Sequence, residues 1–423
     1  MNPRFERRRQ QLLADAKIKP QVYQEALSRL PDFLEPYLKS LGRREQKEHL
    51  REYLDGLLSD AKRKNVETIA YLHDQDRREL QRFIGESQWA YEPMLGELTR
   101  QVGLELGEAD GVIIFDPSGF EKDGKHSVGV QRQWLGRFGK VDNGQVGVYL
   151  GYASRKGQAL CDVRLYLPQE WAGDRARRRQ CGVPKEVRFQ TRHELAQAML
   201  LERGSVLPHQ WISGDDEMGR STQFRQWLRE HGERYLLAVP SNTNMRDLEV
   251  AAPVHNKQGP QPKAPWMPVS HWLENIPAAA WTRIEVRDGE QGPLAVEAVK
   301  CRVQTREKQR HVGPEEVLFV TRVKERSGWK IDYYVSNAAA ETSLQELARV
   351  AKAEHRIEEC FKSAKSEAGL KDYEVRTWIG WHHHQTLSLM ATWFLTLELR
   401  RGKKMESSAH DFAGARLDRT AVA

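Results

Sequence analysis

Residues 111–120, GVIIFDPSGF, decide the fold because they end a long helical stretch and open a region of strands and helices. Four apolar residues precede Asp116, which is the composition of a short buried strand, and the Pro-Ser-Gly that follows is typical of a turn. A second short strand, WISGD, ends in Asp215. We therefore expect two acids at strand ends of one sheet, where ligands gather in open α/β sheets.

Apolar and amphipathic stretches continue to alternate as far as residue 240. Short apolar stretches predict further strands, and apolar residues at helical spacing predict helices between them. The predicted strands cover 145–154, 159–168, 211–215 and 234–240, and the predicted helices cover 191–204 and 221–232. The order β-β-β-α-β-α-β is typical of an α/β domain with a five-stranded mixed sheet and flanking helices.

The rest of the chain divides around this core. Residues 1–95 show helical spacing without a strand signal and are predicted to be a helical region. Residues 96–240 form the first part of the α/β core, and 241–335 are predicted to be a β-rich insertion. Residues 336–402 supply the helices that complete the core, and 403–423 are expected to be a flexible tail.

The composition excludes several classes of protein. The chain has 423 residues, 30% of them charged, and its most apolar run, Leu387 to Leu397, is too short to span a bilayer. Its N-terminus lacks the apolar stretch of a signal peptide. The four cysteines are scattered without a CxxC pair, which argues against zinc and disulfides and favours the reducing cytoplasm. A net charge of +7 favours a polyanionic partner.

A late helix over 341–369 supplies a third acid. Glu358 and Lys365 are seven residues apart, so both project from one helix face about 10 Å apart along the axis. With Asp116 and Asp215, Glu358 gives three carboxylates, the oxygen ligands that hard divalent cations prefer. Such a trio, holding two Mg²⁺ ions, suits in-line displacement at a phosphodiester. The alternative is an ordinary charged amphipathic helix with i,i+4 pairs.

The segment RIEECFKSAK resembles the Y-x2-R-x3-E-x6-K signature of the DDE transposases of bacterial insertion sequences. Its Glu and Lys fall on Glu358 and Lys365, whereas Ala351 and Glu354 stand where the signature has Tyr and Arg. Further likeness lies in FDPSGFEKDGKHSVGVQRQWLGRFGKVDNGQVGVYLGY and from GLKDYEVRTWIGWHHH onward. The resemblance implies an RNase H-like catalytic domain, with acids on the first strand, the fourth strand and a late helix.

The same resemblance implies roles for the acids at the strand ends. Asp116 corresponds to the first catalytic acid and Asp215 to the second. Asp216 adjoins Asp215, but only Asp215 has the spacing to Gly219 of the family's D-x2-Y-G pattern. Met218 stands where that pattern has Tyr.

Glu358 corresponds to the third acid, since Glu359 and Glu367 lack the signature spacing to a lysine. Basic and polar residues near these acids are predicted to contact DNA phosphates, although a surface loop of ordinary polar residues is an equal alternative for those after Asp116. The predicted DNA-binding residues are Lys122, Lys125, His126, Ser127, Arg356, Lys362 and Lys365.

Three consecutive histidines, His382 to His384, invite a hypothesis of metal binding. Successive helical residues point about 100° apart, so three in a row cannot converge on one ion. Packing and backbone contacts are the favoured interpretation.

Taken as a member of this family, the chain is expected to be a DNA transposase. The resemblance implies cleavage at element ends and strand transfer with two Mg²⁺ ions, for which Mn²⁺ can substitute. The implied partners are double-stranded DNA with terminal inverted repeats, target DNA and a second copy of the chain, at the nucleoid in a bacterial cytoplasm. Residues 1–95 are the implied region for DNA binding or dimerisation. The alternatives are a domesticated DNA-binding protein without cleavage and an RNase H-like structure-specific nuclease.

Overall fold

The computed structural model describes residues 25–136, 139–251, 263–289, 292–307 and 311–417. The part of the predicted helical region within these ranges is helical, and residues 1–24 lie outside them. Its helices are α1 (Leu30–Leu38), α2 (Arg44–Leu58), α3 (Val66–Leu72), α4 (Arg77–Gly85) and α5 (Glu92–Leu106). Their apolar faces join one buried cluster that continues into the sheet.

A mixed sheet with helices between its strands follows, as predicted. Its first strands are β1 (Val112–Glu121), β2 (Gln131–Leu135), β3 (Lys140–Ser154), β4 (Gly157–Leu165), β5 (Trp211–Gly214) and β6 (Tyr235–Ala238). β3 pairs antiparallel with β1 and β4, whereas β5 is parallel to β1 and β6 is parallel to β5. The lateral order is β4-β3-β1-β5-β6, and the short strand β2, which the sequence does not predict, also pairs with β3.

Strand β1 is longer than predicted, and the expectation of a turn at Pro117 is wrong. Pairing with β3 runs from Val112 to Glu121, with Pro117 opposite Val148. The parallel partner β5 reaches only as far as Phe115. Beyond that residue β1 has a side without this partner, and a proline is tolerated at such an edge because no ladder hydrogen bond is lost there.

Helices connect these strands, and side-chain caps start two of them. The helices are α6 (Gln169–Gly173), α7 (Arg175–Gln180), α8 (Arg192–Arg203), α9 (Asp216–Arg220) and α10 (Thr222–Glu230). Thr191 Oγ1 accepts the Glu194 N–H at 3.2 Å, and the Glu194 carboxylate accepts the Thr191 N–H at 2.7 Å, which is a capping box. Ser221 Oγ accepts the Phe224 N–H at 3.2 Å and starts α10.

The β-rich insertion continues the core sheet. Its elements are β7 (Asn244–Asp247), β8 (Met267–Pro268), α11 (Val269–Glu274), β9 (Thr282–Gly289), β10 (Gly292–Glu307), β11 (His311–Glu325) and β12 (Gly328–Ser336). β12 pairs antiparallel with β6, so that Tyr334 lies opposite Ala238. The order continues as β6-β12-β11-β10-β7-β8, with β9 on β10. A second apolar cluster, which includes Met245, Trp272 and Val303, fills this part.

Two long helices complete the core. Helix α12 (Leu344–Glu367) begins at Ser343, whose hydroxyl caps its first turn. It crosses β3 closely, because a Cβ added at Gly151 would lie 2.7 Å from Ile357 Cδ1. Helix α13 (Trp378–Leu417) follows.

Helix α13 connects the N-terminal helices to the sheet through buried side chains such as Trp381 and Met390. The predicted core helices end at residue 402, but this helix continues through residue 417. The segment 403–417 of the predicted flexible tail is therefore helical, and 418–423 lie outside the described residues.

Two compositional expectations can be compared with the fold. Each of the four cysteines is buried and carries a free thiol. Within the described ranges, no helix combines the length and the apolar character needed to cross a membrane.

Candidate active site

Asp116 and Asp215 directly follow the segments of β1 and β5 that pair in parallel, although β1 itself continues to Glu121. Phe115 of β1 is paired with Gly214 of β5, and each aspartate is the next residue of its chain segment. Corresponding positions of a parallel pair are neighbours, so the two carboxyl groups share one edge of the sheet. The structure thus brings together the first two predicted acids.

The helix after Asp215 holds that residue in place. Asp215 Oδ1 accepts the Met218 N–H at 3.1 Å and so caps α9. The neighbouring Asp216 is exposed, and its carboxylate pairs with Arg220 at 3.2 Å. This geometry favours Asp215 over Asp216 as the acid whose carboxyl interacts with that of Asp116.

Gly219 sets the distance between α9 and β6, and its replacement by alanine is expected to destabilise the fold. An added Cβ would lie 1.9 Å from the backbone oxygen of Ala238, which cannot rotate away. We expect a loss of about 1–3 kcal/mol in the free energy of unfolding, typical of overpacking, measured by denaturant titration. Gly173→Ala is the control, because nothing lies within 4 Å of a Cβ added there. Equal stability of both variants would contradict this packing.

Burial and like charge act on both aspartates. Burial raises the pKa of Asp116 to about 6; Lys365 opposes this shift, and the charges of Glu358 and Glu217 add to it. Burial and the charge of Asp116 hold the pKa of Asp215 well above its usual range. Two adjacent carboxylates of this kind are costly to ionise together unless a cation lies between them.

Lys365 lies beside this acid pair. Its ammonium donates to Ser118 Oγ at 2.9 Å, two residues after Asp116 on β1. The same ammonium is 5.1 Å from the centre of the Phe361 ring and 5.4 Å from that of Phe120. Lys365 is therefore a buried cation that counters the charge of Asp116.

Glu358 lies near Asp116 and Asp215, but its carboxylate faces solvent and not these two acids. Its side chain is 54% exposed, and Oε2 is 3.2 Å from His355 Nδ1. In the described parts of the chain, no three His, Cys, Asp or Glu side chains are close enough together to hold a metal ion. Asp116 and Asp215 still offer the oxygen donors that Mg²⁺ prefers, and Mg²⁺ needs only one or two protein carboxylates beside a substrate phosphate.

Glu354 is an acid of this site that the sequence interpretation misses. Burial raises the pKa of Glu354 to about 8, and the charges of Asp116 and Glu358 add to that shift. The residue lies one helical turn before Glu358, at the position where the transposase signature has Arg. Its i,i+4 spacing to Glu358 was the available signal, because such residues share one helix face.

The predicted DNA-binding residues fall into two groups. Lys122 Nζ donates to the Tyr373 backbone oxygen at 2.9 Å and lies 3.4 Å from the centre of the Tyr373 ring, and burial lowers its pKa to about 8. Arg356 donates to the Ser154 backbone oxygen at 2.5 Å and to Gln158 Oε1 at 2.8 Å. Both therefore hold the fold in this structure. Lys365 is buried beside Asp116, and the remaining four lie closer to solvent: Lys125, His126 and Lys362 are exposed, and Ser127 is half-buried.

The three consecutive histidines are buried and bonded to protein atoms, which agrees with the packing interpretation. His382 Nδ1 is 2.9 Å from the Trp378 backbone oxygen, and His383 stacks on Trp89 with ring centres 3.4 Å apart. His384 Nδ1 is 2.8 Å from the Tyr53 hydroxyl. They join α13 to the N-terminal helices.

The mixed sheet and the paired acids define an α/β protein with a carboxylate site at its strand ends. The chain belongs to the family of DDE superfamily endonucleases, whose model matches residues 36–293. The matched stretch contains Asp116 and Asp215 and ends before Glu358.

A curated relative extends the comparison. Over 197 residues the chain is 29% identical to the probable transposase for insertion sequence element IS701 of Microchaete diplosiphon. The match covers 44% of this chain and 47% of the relative, so the chain spans about half the length of the relative it matches. The predicted resemblance to DDE-type insertion-sequence transposases is confirmed.

Among solved structures, the chain is similar to a piggyBac transposase determined in a synaptic complex with hairpin DNA. The two align with a TM-score of 0.43 and 10% sequence identity, covering 86% of this chain and 68% of the other.

Proposed function

We propose that this protein is a DNA transposase with an RNase H-like core. The five strands β4-β3-β1-β5-β6 support the assignment, since the central strand pairs antiparallel on one side and parallel on the other. The observation that carries the proposal is that Asp116 and Asp215 lie side by side after the paired segments of β1 and β5, with Glu358 and Lys365 on the neighbouring helix α12. Family membership gives the endonuclease class.

In this proposal Asp116, Asp215 and Glu358 hold two Mg²⁺ ions together with a substrate phosphate. Bound Mg²⁺ would activate water or a 3′-hydroxyl and stabilise the leaving oxygen. Asp116 and Asp215 are already adjacent, and Glu358 would have to leave its contact with His355 to share an ion with them. Lys365 contributes positive charge beside the scissile phosphate.

The proposed substrates are the element's terminal inverted repeats and, after cleavage, target DNA. The exposed Lys125, His126 and Lys362 are the proposed contacts to flanking phosphates, with Ser127 beside them. Two copies of the chain would hold paired ends, with the N-terminal helices as the region that binds DNA or the second copy. The nucleoid is the proposed place of action.

A second candidate function is binding of the element end without cleavage. The observation that favours it is Glu354, an acid in place of the signature's Arg, together with the outward orientation of Glu358. A structure-specific nuclease without strand transfer is the remaining alternative within the same fold.

Cleavage of a labelled duplex carrying the DNA that flanks the gene tests the proposal. We expect nicking at the element boundary with Mg²⁺ or Mn²⁺ and none after chelation with EDTA, because the carboxylates alone cannot neutralise a developing phosphorane. The control is a duplex with a scrambled end sequence. Tight binding without nicking under either metal would favour the binding protein, and nicking of any branched duplex without joining would favour the nuclease.

A further inference from the structure

A buried ion pair joins the β-rich insertion to the helices beside the active site. Arg225 Nε on α10 donates to Glu316 Oε1 on β11 at 2.9 Å. The two side chains are 2% and 0% exposed. Buried ion pairs contribute little net stability, because desolvating two charges offsets their attraction. A pair buried this completely is therefore expected to have a role other than stabilising the fold.

The remaining atoms of the pair are bonded as well. Glu316 Oε1 accepts the Tyr235 hydroxyl at 2.5 Å, and Oε2 accepts the Thr305 hydroxyl at 3.1 Å. Arg225 Nη2 is 2.6 Å from Thr305 Oγ1. Thr305 lies on β10 and Tyr235 on β6, so one network spans both the insertion and the core sheet.

The third arm of the guanidinium reaches the helix that follows the second acid. Arg225 Nη1 donates to the Gly219 backbone oxygen, and the Gly219 N–H donates to the Asp215 backbone oxygen at 3.0 Å. Helix α9 spans only Asp216–Arg220, far too short to be stable alone. Its position depends on its anchors, which are the cap at Asp215, the contact with Ala238 and the bond to Arg225.

We propose that Arg225 and Glu316 are positioning residues for Asp215, through which the insertion fixes the second acid of the site. The inference rests on the proposed function for its catalytic consequence, but the placement of α9 can be measured without catalysis. Removal of the guanidinium leaves the Gly219 carbonyl without its buried donor, and α9 gains freedom to move against β6. A displacement of about 1 Å at a reacting group can cost about 10²-fold in rate.

The test is the double variant Arg225→Met/Glu316→Leu, which removes both charges and keeps similar volume. Apolar replacement of a whole buried pair is often neutral for stability. Because the change leaves the Tyr235 and Thr305 hydroxyls and the Gly219 carbonyl without their buried partners, we expect a moderate fall in melting temperature. The affinity for the element end should stay unchanged, and the single-turnover nicking rate should fall about 10–100-fold. Amide hydrogen exchange in 216–220 of the DNA-free protein should be at least about tenfold faster.

A second ion pair, with one buried and one half-buried side chain, provides the control. Arg203 Nε donates to Asp162 Oδ2 at 2.8 Å between α8 and β4, and these side chains are 15% and 0% exposed. Arg203→Met/Asp162→Leu should leave both the nicking rate and the exchange of 216–220 unchanged. If Arg225→Met/Glu316→Leu does not fold, Arg225→Lys replaces it, because an ammonium can pair with Glu316 without also reaching Gly219.

The outcomes separate this inference from the proposed function. Native exchange of 216–220 in the Arg225 variant would overturn the positioning role, whether or not the native protein nicks DNA. Faster exchange with equal losses of melting temperature and DNA affinity would also overturn it, since that is a general loss of structure. Failure of the native protein to nick would refute the transposase and leave the exchange result to decide the role of Arg225.

Discussion

Asp116→Asn is expected to abolish nicking of the element end, with a rate loss of about 10³-fold or more, because several kcal/mol of transition-state stabilisation correspond to three powers of ten. Asparagine keeps the shape of the side chain and removes its charge. The site should therefore bind a divalent cation much more weakly. The fold should remain, and the melting temperature should not fall, because the repulsion between Asp116 and Asp215 is relieved. Single-turnover nicking and thermal melts measure the two effects.

Asp216→Asn is the matched control for this prediction. Asp216 is also an aspartate beside the site, but it is exposed and paired with Arg220, and an exposed pair contributes little. Its nicking rate should stay within a factor of about three of native. A large loss in Asp216→Asn with native activity in Asp116→Asn would mean that the acids are wrongly assigned.

The acid pair could be predicted from the sequence because its causes are local. A short apolar strand followed by an acid marks Asp116 and Asp215, and amphipathic stretches mark α8 and α10. These signals lie within a few residues of the features they specify. Because β1 and β5 pair in parallel, the acids that follow the paired segments lie side by side.

The rest depends on contacts between distant residues. β12 joins β6 although Tyr334 and Ala238 are almost a hundred residues apart, and no local pattern records that partner. The length of β1 beyond Pro117 depends on where β5 ends. The sequence analysis predicts that Lys122 and Arg356 bind DNA phosphates. In the structure each donates instead to a backbone oxygen of a remote segment, Lys122 to Tyr373 and Arg356 to Ser154. Buried carbonyls need donors, and the sequence does not show which carbonyls become buried.

Two substitutions on α12 test which glutamate is the third acid of the site. Glu358→Gln is expected to reduce nicking by about 10³-fold, as loss of a metal ligand would. Glu354→Gln should leave the rate within about tenfold of native, because a carboxyl whose pKa is raised to about 8 is protonated at pH 7 and glutamine resembles that form. The two variants change the same residue type one helical turn apart, so each is the control for the other. The reverse result would assign the third ligand to Glu354.

The dependence of stability on pH tests the protonation of Glu354 independently of catalysis. Burial raises its pKa from 4.5 to about 8, so the folded protein keeps a proton that the unfolded chain releases. The native protein therefore loses stability from this group as pH rises from about 4.5 to 8. Glu354→Gln has no such proton to lose, so its melting temperature relative to native should increase across that window and level off above it. If the two melting curves shift in parallel at every pH, Glu354 is ionised in the folded protein, and its carboxylate is then available to a cation beside Asp116.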